Sequence, residues 1–164
     1  MNYLSFFNIK GILITLTSIL CITFLCCENL YATKQDYDQF KSHLEFLSYT
    51  CTMKNEKNMY CKTSAIDPNF SLKKQSGGYL IQAFYTGSEK AKKERTAFLN
   101  FVNKCNTIAI ATRYYIDKDT DLAMEVWFSG GYDKKAFANV LKQFNSDYIR
   151  IKTKYKEDFS YYLK

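Results

Sequence analysis

The sequence has 164 residues and a formal net charge of +7, with 47% hydrophobic and 24% charged residues. That hydrophobic share and the absence of repeats or low-complexity stretches exclude an intrinsically disordered chain and a repeat protein. The length corresponds to a short leader followed by one domain of ordinary size.

The first 32 residues have the layout of a secretory signal. Lys10 supplies a positive charge, residues 11–26 form an uncharged apolar run, and a short polar segment ends at the small residue Ala32. The apolar run is shorter than the about 20 residues that a membrane-spanning helix needs. We therefore expect cleavage after Ala32, export to the periplasm or the medium, and a single mature domain of residues 33–164.

Three of the six cysteines, Cys21, Cys26 and Cys27, lie in or beside this leader. A lipid anchor on Cys27 is the alternative to cleavage, although Phe24 stands where such sites usually carry an aliphatic residue.

The first half of the mature chain predicts one helix and three strands. Tyr37, Phe40, Leu44 and Leu47 repeat at helical spacing, which predicts a helix over about 35–49. Short β-like runs follow at 51–54 and 59–64, joined by a polar turn. Residues 65–78, with the only proline and a Gly-Gly pair, favour a loop, and the aromatic and branched run 79–85 favours a strand.

The second half predicts two helices that flank a hairpin. Thr86 and Glu89 have the spacing of a capping box and open a helix with Ala91, Phe98 and Cys105 on its apolar stripe. Alternating runs at 108–116 and 122–128 predict two strands, and Asp133 can cap a long last helix. The order α-β-β-β-α-β-β-α predicts an α+β fold of two layers, with three helices and an antiparallel sheet of about five strands.

A disulfide between Cys51 and Cys61 follows from the first hairpin. A turn centred on Glu56 places these cysteines directly opposite each other, at a Cα separation that a disulfide accepts. Export would supply the oxidising environment. Cys105 is then expected to remain a buried free thiol on its helix.

The second hairpin predicts a register with Arg113 opposite Glu125. If residues 117–121 close the hairpin symmetrically, Ile116 faces Leu122 and Tyr114 faces Met124 on one apolar side, with residues 112 and 110 facing 126 and 128 beyond them. Arg113 and Glu125 then form a cross-strand ion pair on the other side. The apolar side should pack beneath the last helix, against Phe137, Leu141 and Phe144.

Residues 98–148 resemble the YbjN-like domain, a bacterial family with the fold of type III secretion chaperones. The resemblance depends on a helix ending in residues 101–106 (FVNKCN), a strand ending in residues 113–117 (RYYID), the Gly130-Gly131 break and a long helix containing Leu141 and Phe144. It implies an α+β scaffold without known catalytic residues that serves as a regulator or chaperone-like module. The export signal is a departure from the family pattern.

No motif predicts a catalytic, cofactor or metal site. His43 is the only histidine and has no evident partners for a triad or a zinc site. The alternating acids of residues 117–121 suggest calcium, but a calcium loop starting there needs glycine and glutamate where Leu122 and Phe128 stand. Asp in this segment more simply favours a turn.

The sequence therefore predicts a non-enzymatic, exported protein-binding or chaperone-like module of the bacterial envelope, whose partner is another protein. Two alternatives stay open: a small secreted enzyme with a site not visible in sequence, and a basic module with weak contact to anionic membrane or envelope surfaces. The second alternative depends on two basic runs, Lys90, Lys92, Lys93 and Arg95, and Lys152, Lys154 and Lys156. Nucleic acid is not an expected partner of an exported protein, and the sequence leaves the oligomeric state open.

Overall fold

A computed structural model of the protein describes residues 34–164. The predicted leader, with the cleavage site at Ala32 and the alternative anchor at Cys27, lies outside the described residues. Residues Gln39–Lys164 form one compact unit, which contains the whole sheet. Within the described part, no helix is long and apolar enough to cross a membrane.

The described residues form an α+β fold, as predicted, but with five helices and six strands. The helices are α1 (34–46), α2 (Glu89–Lys93), α3 (Arg95–Ile108), α4 (Lys134–Lys154) and α5 (Lys156–Tyr162). The strands are β1 (Thr50–Asn55), β2 (Asn58–Lys62), β3 (Phe70–Gln75), β4 (Gly78–Tyr85), β5 (Arg113–Ile116) and β6 (Leu122–Ser129). They form one antiparallel sheet in the order β1-β2-β3-β4-β6-β5.

The predicted loop at 65–78 is wrong in its second half, which is strand β3. Phe70 and Leu72 are buried and alternate with more exposed residues, as on a strand with one covered face. A tight turn links β3 to β4, because Gln75 pairs with Gly78 and Gly77 adopts φ +78° between them. The extra strand extends the sheet to six.

The predicted strand at 108–116 is correct only from Arg113 onwards. Ile108 is the last residue of α3, and β5 pairs with β6 only over residues 113–116. The four observed pairs, including Tyr114 with Met124 and Arg113 with Glu125, have the predicted register. The pairs predicted beyond them, at 110–112, do not form.

The helices cover one face of the sheet and form the core there. Phe40 of α1 packs edge-to-face on Tyr79 of β4 and Phe137 of α4, with ring centroids 4.6 Å and 4.7 Å apart. Phe144 of α4 lies 5.8 Å from Phe70 of β3. Leu122, Met124 and Phe128 are buried, as the predicted core side of β6 requires. We call this the inner face.

Two of the predicted helices are broken in the structure. The second is interrupted at Glu94 and resumes as α3, and its cap is Ser88, whose hydroxyl accepts from the Ala91 N–H, in place of the predicted Thr86. The last helix breaks at Tyr155 and continues as α5. Its predicted cap is confirmed, because the Asp133 carboxylate accepts from the Ala136 N–H at 2.7 Å.

Candidate functional site

The candidate site is the sheet face that the helices leave uncovered, which we call the outer face. Two neighbouring strands of this face carry Leu80, Gln82 and Phe84 on β4, paired with Trp127, Glu125 and Ala123 on β6. Three aromatic side chains on this face remain exposed to solvent: Tyr60 by 36%, Phe84 by 50% and Trp127 by 42%. Large exposed side chains grouped on one face are typical of a binding surface.

A polar cluster lies on β4, β6 and β5 of the outer face, with Glu125 at its centre. The Glu125 carboxylate accepts hydrogen bonds from Gln82 Nε2 at 2.7 Å and from the Tyr115 hydroxyl at 3.0 Å. Arg113 pairs with the same carboxylate through its Nε and one terminal nitrogen. The Glu125 side chain is only 3% exposed, whereas that of Arg113 is 75% exposed. The guanidinium therefore covers the buried carboxylate and is itself open to solvent.

The geometry of this cluster does not resemble an acid–base pair. Burial, followed by the hydrogen bond to Glu125, raises the pKa of Tyr115, so its hydroxyl remains a donor at neutral pH. With four donor atoms from three residues around it, the carboxylate is already fully used as an acceptor. The side chains of the cluster are therefore held in fixed positions on the surface, as expected of a polar network whose hydrogen bonds are all made.

A pocket of about 520 Å³ opens beside the cluster. Its walls are Gln75, Leu80, residues 110–113 and residues 125–127. Leu80 and Trp127 supply an apolar floor, Ile110 is 69% exposed at the side, and Arg113 places positive charge at the margin. The pocket can accept an apolar group of a ligand that carries a negatively charged group beside it, next to Arg113.

Asp147 of α4 shapes one wall of this pocket. Its buried carboxylate accepts from the backbone N–H groups of Ile110, Ala111 and Thr112 at 2.8–3.0 Å. The Thr112 hydroxyl and Arg150 Nη1 donate as well, at 3.0 Å and 2.8 Å. Burial alone would raise the pKa of Asp147, but these hydrogen bonds outweigh it and lower the pKa. The Asp147 carboxylate thus holds residues 110–112, which belong to the predicted strand at 108–116 but do not pair with β6.

The edge of β5 that faces away from β6 is hydrogen-bonded by the Asn106 side chain. Asn106 Nδ2 donates to the Tyr114 carbonyl at 2.8 Å, and Asn106 Oδ1 accepts from the Tyr114 N–H at 2.8 Å. The amide therefore imitates one residue of a neighbouring strand, which blocks the addition of another strand at this position. The outer face is more accessible to a partner than this edge.

The structure bonds Cys51 to Cys61 across the first hairpin, where they are directly paired. Both side chains lie on the inner face, away from the candidate site. Cys105 is a buried free thiol, and burial raises its pKa to about 12.

The remaining sequence-selected groups lie outside the outer face. His43 is half-buried on α1, 3.0 Å from the Tyr132 hydroxyl. The Asp117 carboxylate accepts from the N–H groups of Asp119 and Asp121, which is the predicted turn. Among residues 34–164, no three His, Cys, Asp or Glu side chains are arranged to hold a metal ion. The basic runs lie on α2, α3, α4 and α5, apart from the sheet strands.

Sequence reasoning found Arg113 and Glu125 but missed the rest of the network. Gln82 alternates with Leu80 and Phe84 on β4, so its outward direction could have been read from the strand period. Asp147 is an acid three residues after Phe144 on the apolar stripe of α4, which is a signal for a buried polar contact.

Comparison with known proteins identifies the fold. Similar solved structures include YbjN, a proposed transcription regulator from E. coli, with a TM-score of 0.59 and 13% identity over 78% of this chain and 96% of YbjN. The YbjN-like fold predicted from residues 98–148 is confirmed, and at this identity the similarity shows the fold alone. A weaker similarity joins the chain to the ExoU–SpcU complex from the type III secretion system of Pseudomonas aeruginosa. It has a TM-score of 0.46 and 14% identity, over 68% of this chain and 93% of the other. No protein-family model and no curated protein matches the sequence.

Proposed function

We propose that the protein is a non-enzymatic protein-binding module, chaperone-like in fold and exported to the bacterial envelope, that binds its partner through the outer face. The observation that carries this proposal is the combination of exposed Phe84 and Trp127 with a rigid polar cluster between them. A preorganised surface of this kind lowers the entropic cost of binding. Export depends on the leader of residues 1–32. The YbjN-like fold itself is compatible with a location in the envelope or in the cytoplasm.

The chemistry of the outer face supports binding over catalysis. The cluster's carboxylate is occupied by Gln82, Tyr115 and Arg113. Aromatic side chains and arginine are the residue types enriched where proteins bind proteins.

The test is affinity capture from the native cell envelope with two matched variants. Phe84→Ser combined with Trp127→Ser removes apolar area from the outer face, whereas Leu99→Ser removes a comparably exposed side chain from α3. The proposal requires a partner protein that the wild type and Leu99→Ser both retain and that the outer-face variant loses. Equal retention by all three proteins would contradict it. Circular dichroism of each variant establishes that the fold is intact.

A further inference from the structure

The outer face carries an excess of positive charge. Its basic side chains on the strands are Lys54, Lys62, Lys73 and Arg113. The last three each alternate with an inner-face residue, and Lys54 lies over the outward Tyr60 ring, with its Nζ 5.7 Å from the ring centroid. The acidic side chain among the same strand residues is Glu125, which is buried under Arg113. Solvent therefore meets lysine and arginine on this face, with the one carboxylate hidden.

This charge distribution disfavours a second copy of the chain as the occupant. Two outer faces brought together would oppose lysine to lysine across a surface that is partly desolvated, and such like-charge contacts are costly. A partner with negative charge gains from the same arrangement.

The positions of the bases relative to the pocket define the partner further. Lys73 pairs with Leu80, and Leu80 pairs with Trp127, so these three residues form one row across β3, β4 and β6. Arg113 is one strand further and borders the same pocket. Three strand spacings separate β3 from β5, which is about 14 Å. The apolar floor formed by Leu80 and Trp127 lies between the two bases.

An extended peptide has a matching repeat. Its side chains alternate, so residues i, i+2 and i+4 point to one side, and i and i+4 are about 13 Å apart. Acidic residues at i and i+4 can reach Lys73 and Arg113, while an apolar residue at i+2 enters the pocket over Trp127. Arg113 is offset from that row by two residues, about 7 Å along the strand, and its side chain borders the same pocket.

We propose that the outer face binds an extended acidic segment of the partner protein in which acidic and apolar residues alternate on one side. This inference rests on the proposed protein-binding function and names the chemistry of the partner. A nucleic acid strand is the competing anionic occupant, and the test below distinguishes it from the acidic peptide.

The test uses Trp127, the single tryptophan of the sequence, as an intrinsic reporter. The purified full chain is titrated with a peptide that repeats glutamate, serine, leucine and serine, and Trp127 emission is recorded. The expected result is a saturable blue shift that weakens as salt is raised, because the charges are exposed. A peptide with glutamine in place of glutamate, and an oligothymidylate, serve as competing probes. Binding of either with the same affinity as the acidic peptide, or no binding of the acidic peptide, would overturn the inference.

Two charge reversals locate the site. Lys73→Glu should weaken binding by about tenfold or more, because it places a carboxylate against the peptide's acids. Lys142→Glu changes the same charge on the exposed side of α4, a helix that covers the opposite face of the sheet, and should leave the affinity within about twofold. Equal loss in both variants would show a response to net charge alone and would contradict the proposed site.

Failure of this inference is separable from failure of the proposed function. If the acidic peptide does not bind but the captured partner is still lost on Phe84→Ser combined with Trp127→Ser, the partner chemistry is wrong and the binding face stands. If the captured partner is insensitive to that variant, the proposed function itself is wrong.

Discussion

Replacing Asp147 by asparagine should destabilise the protein far more than replacing an exposed aspartate. The buried carboxylate accepts hydrogen bonds from three backbone N–H groups, from the Thr112 hydroxyl and from the Arg150 guanidinium. In either orientation, the amide nitrogen of an asparagine would face at least two of these donors. Two lost hydrogen bonds to a charged group, at about 1.5–3 kcal/mol each, give a loss of about 3–6 kcal/mol.

Urea unfolding followed by circular dichroism measures this loss as a change in the free energy of unfolding. The matched control is Asp158→Asn on α5, whose carboxylate is 38% exposed and lies 3.7 Å from Lys104 Nζ. An exposed ion pair of this kind contributes about 0–1 kcal/mol. If Asp147→Asn cost no more than the control, the carboxylate would not hold residues 110–112 and the pocket wall would need another explanation.

The pH dependence gives an independent check on the same residue. The folded-state pKa of Asp147 is lowered, so its contribution is present above the unfolded pKa, about 3.9, and is lost as the pH falls towards the folded value. The stability difference between the wild type and Asp147→Asn should therefore be largest near neutral pH and shrink below about pH 4. A difference that stayed constant into acid would refute the assignment of a charged Asp147.

Three further predictions concern the sequence-selected residues. Mass mapping of non-reduced peptides should recover Cys51 bonded to Cys61, and replacing both by serine should cost roughly 2–3 kcal/mol in the free energy of unfolding; a peptide that joins Cys105 to either would contradict the pairing. N-terminal sequencing of the exported protein should begin at Thr33, about 3.7 kDa below the full chain; a membrane-bound species beginning at a modified Cys27 would establish the lipoprotein alternative. A double-mutant cycle of Arg113→Ala and Glu125→Gln should give a coupling of about 0.2–1 kcal/mol, because the arginine is largely exposed; a coupling near zero would show that the pair is not maintained in solution.

Local patterns in the sequence were sufficient where one face of an element is buried. The period of two along residues 122–128 and the apolar turns of α4 fix which residues point inwards, so the class, the register at Arg113 and Glu125 and the last helix could be predicted. Residues 70–75 were missed because polar residues and the neighbouring Gly-Gly pair obscure a short alternation, and only pairing with β2 and β4 makes them a strand.

The part of the site that sequence could not supply depends on contacts between distant residues. The segment 110–112 alternates like a strand, but Asp147, more than 30 residues away, captures its N–H groups. The Asn106 side chain similarly hydrogen-bonds the backbone N–H and carbonyl of Tyr114 at the edge of β5. Tertiary hydrogen bonds of this kind override a local strand preference, and nothing within residues 110–112 indicates them.

The outer face as the partner-binding surface is tested most directly by site-specific crosslinking in living cells. A photoreactive phenylalanine analogue is placed at Trp127 in one strain and at Ile149, which is similarly exposed on α4, in another. We expect a crosslinked partner protein from position 127 and none from position 149. A partner crosslinked from position 149 and not from position 127 would contradict the assignment of the outer face.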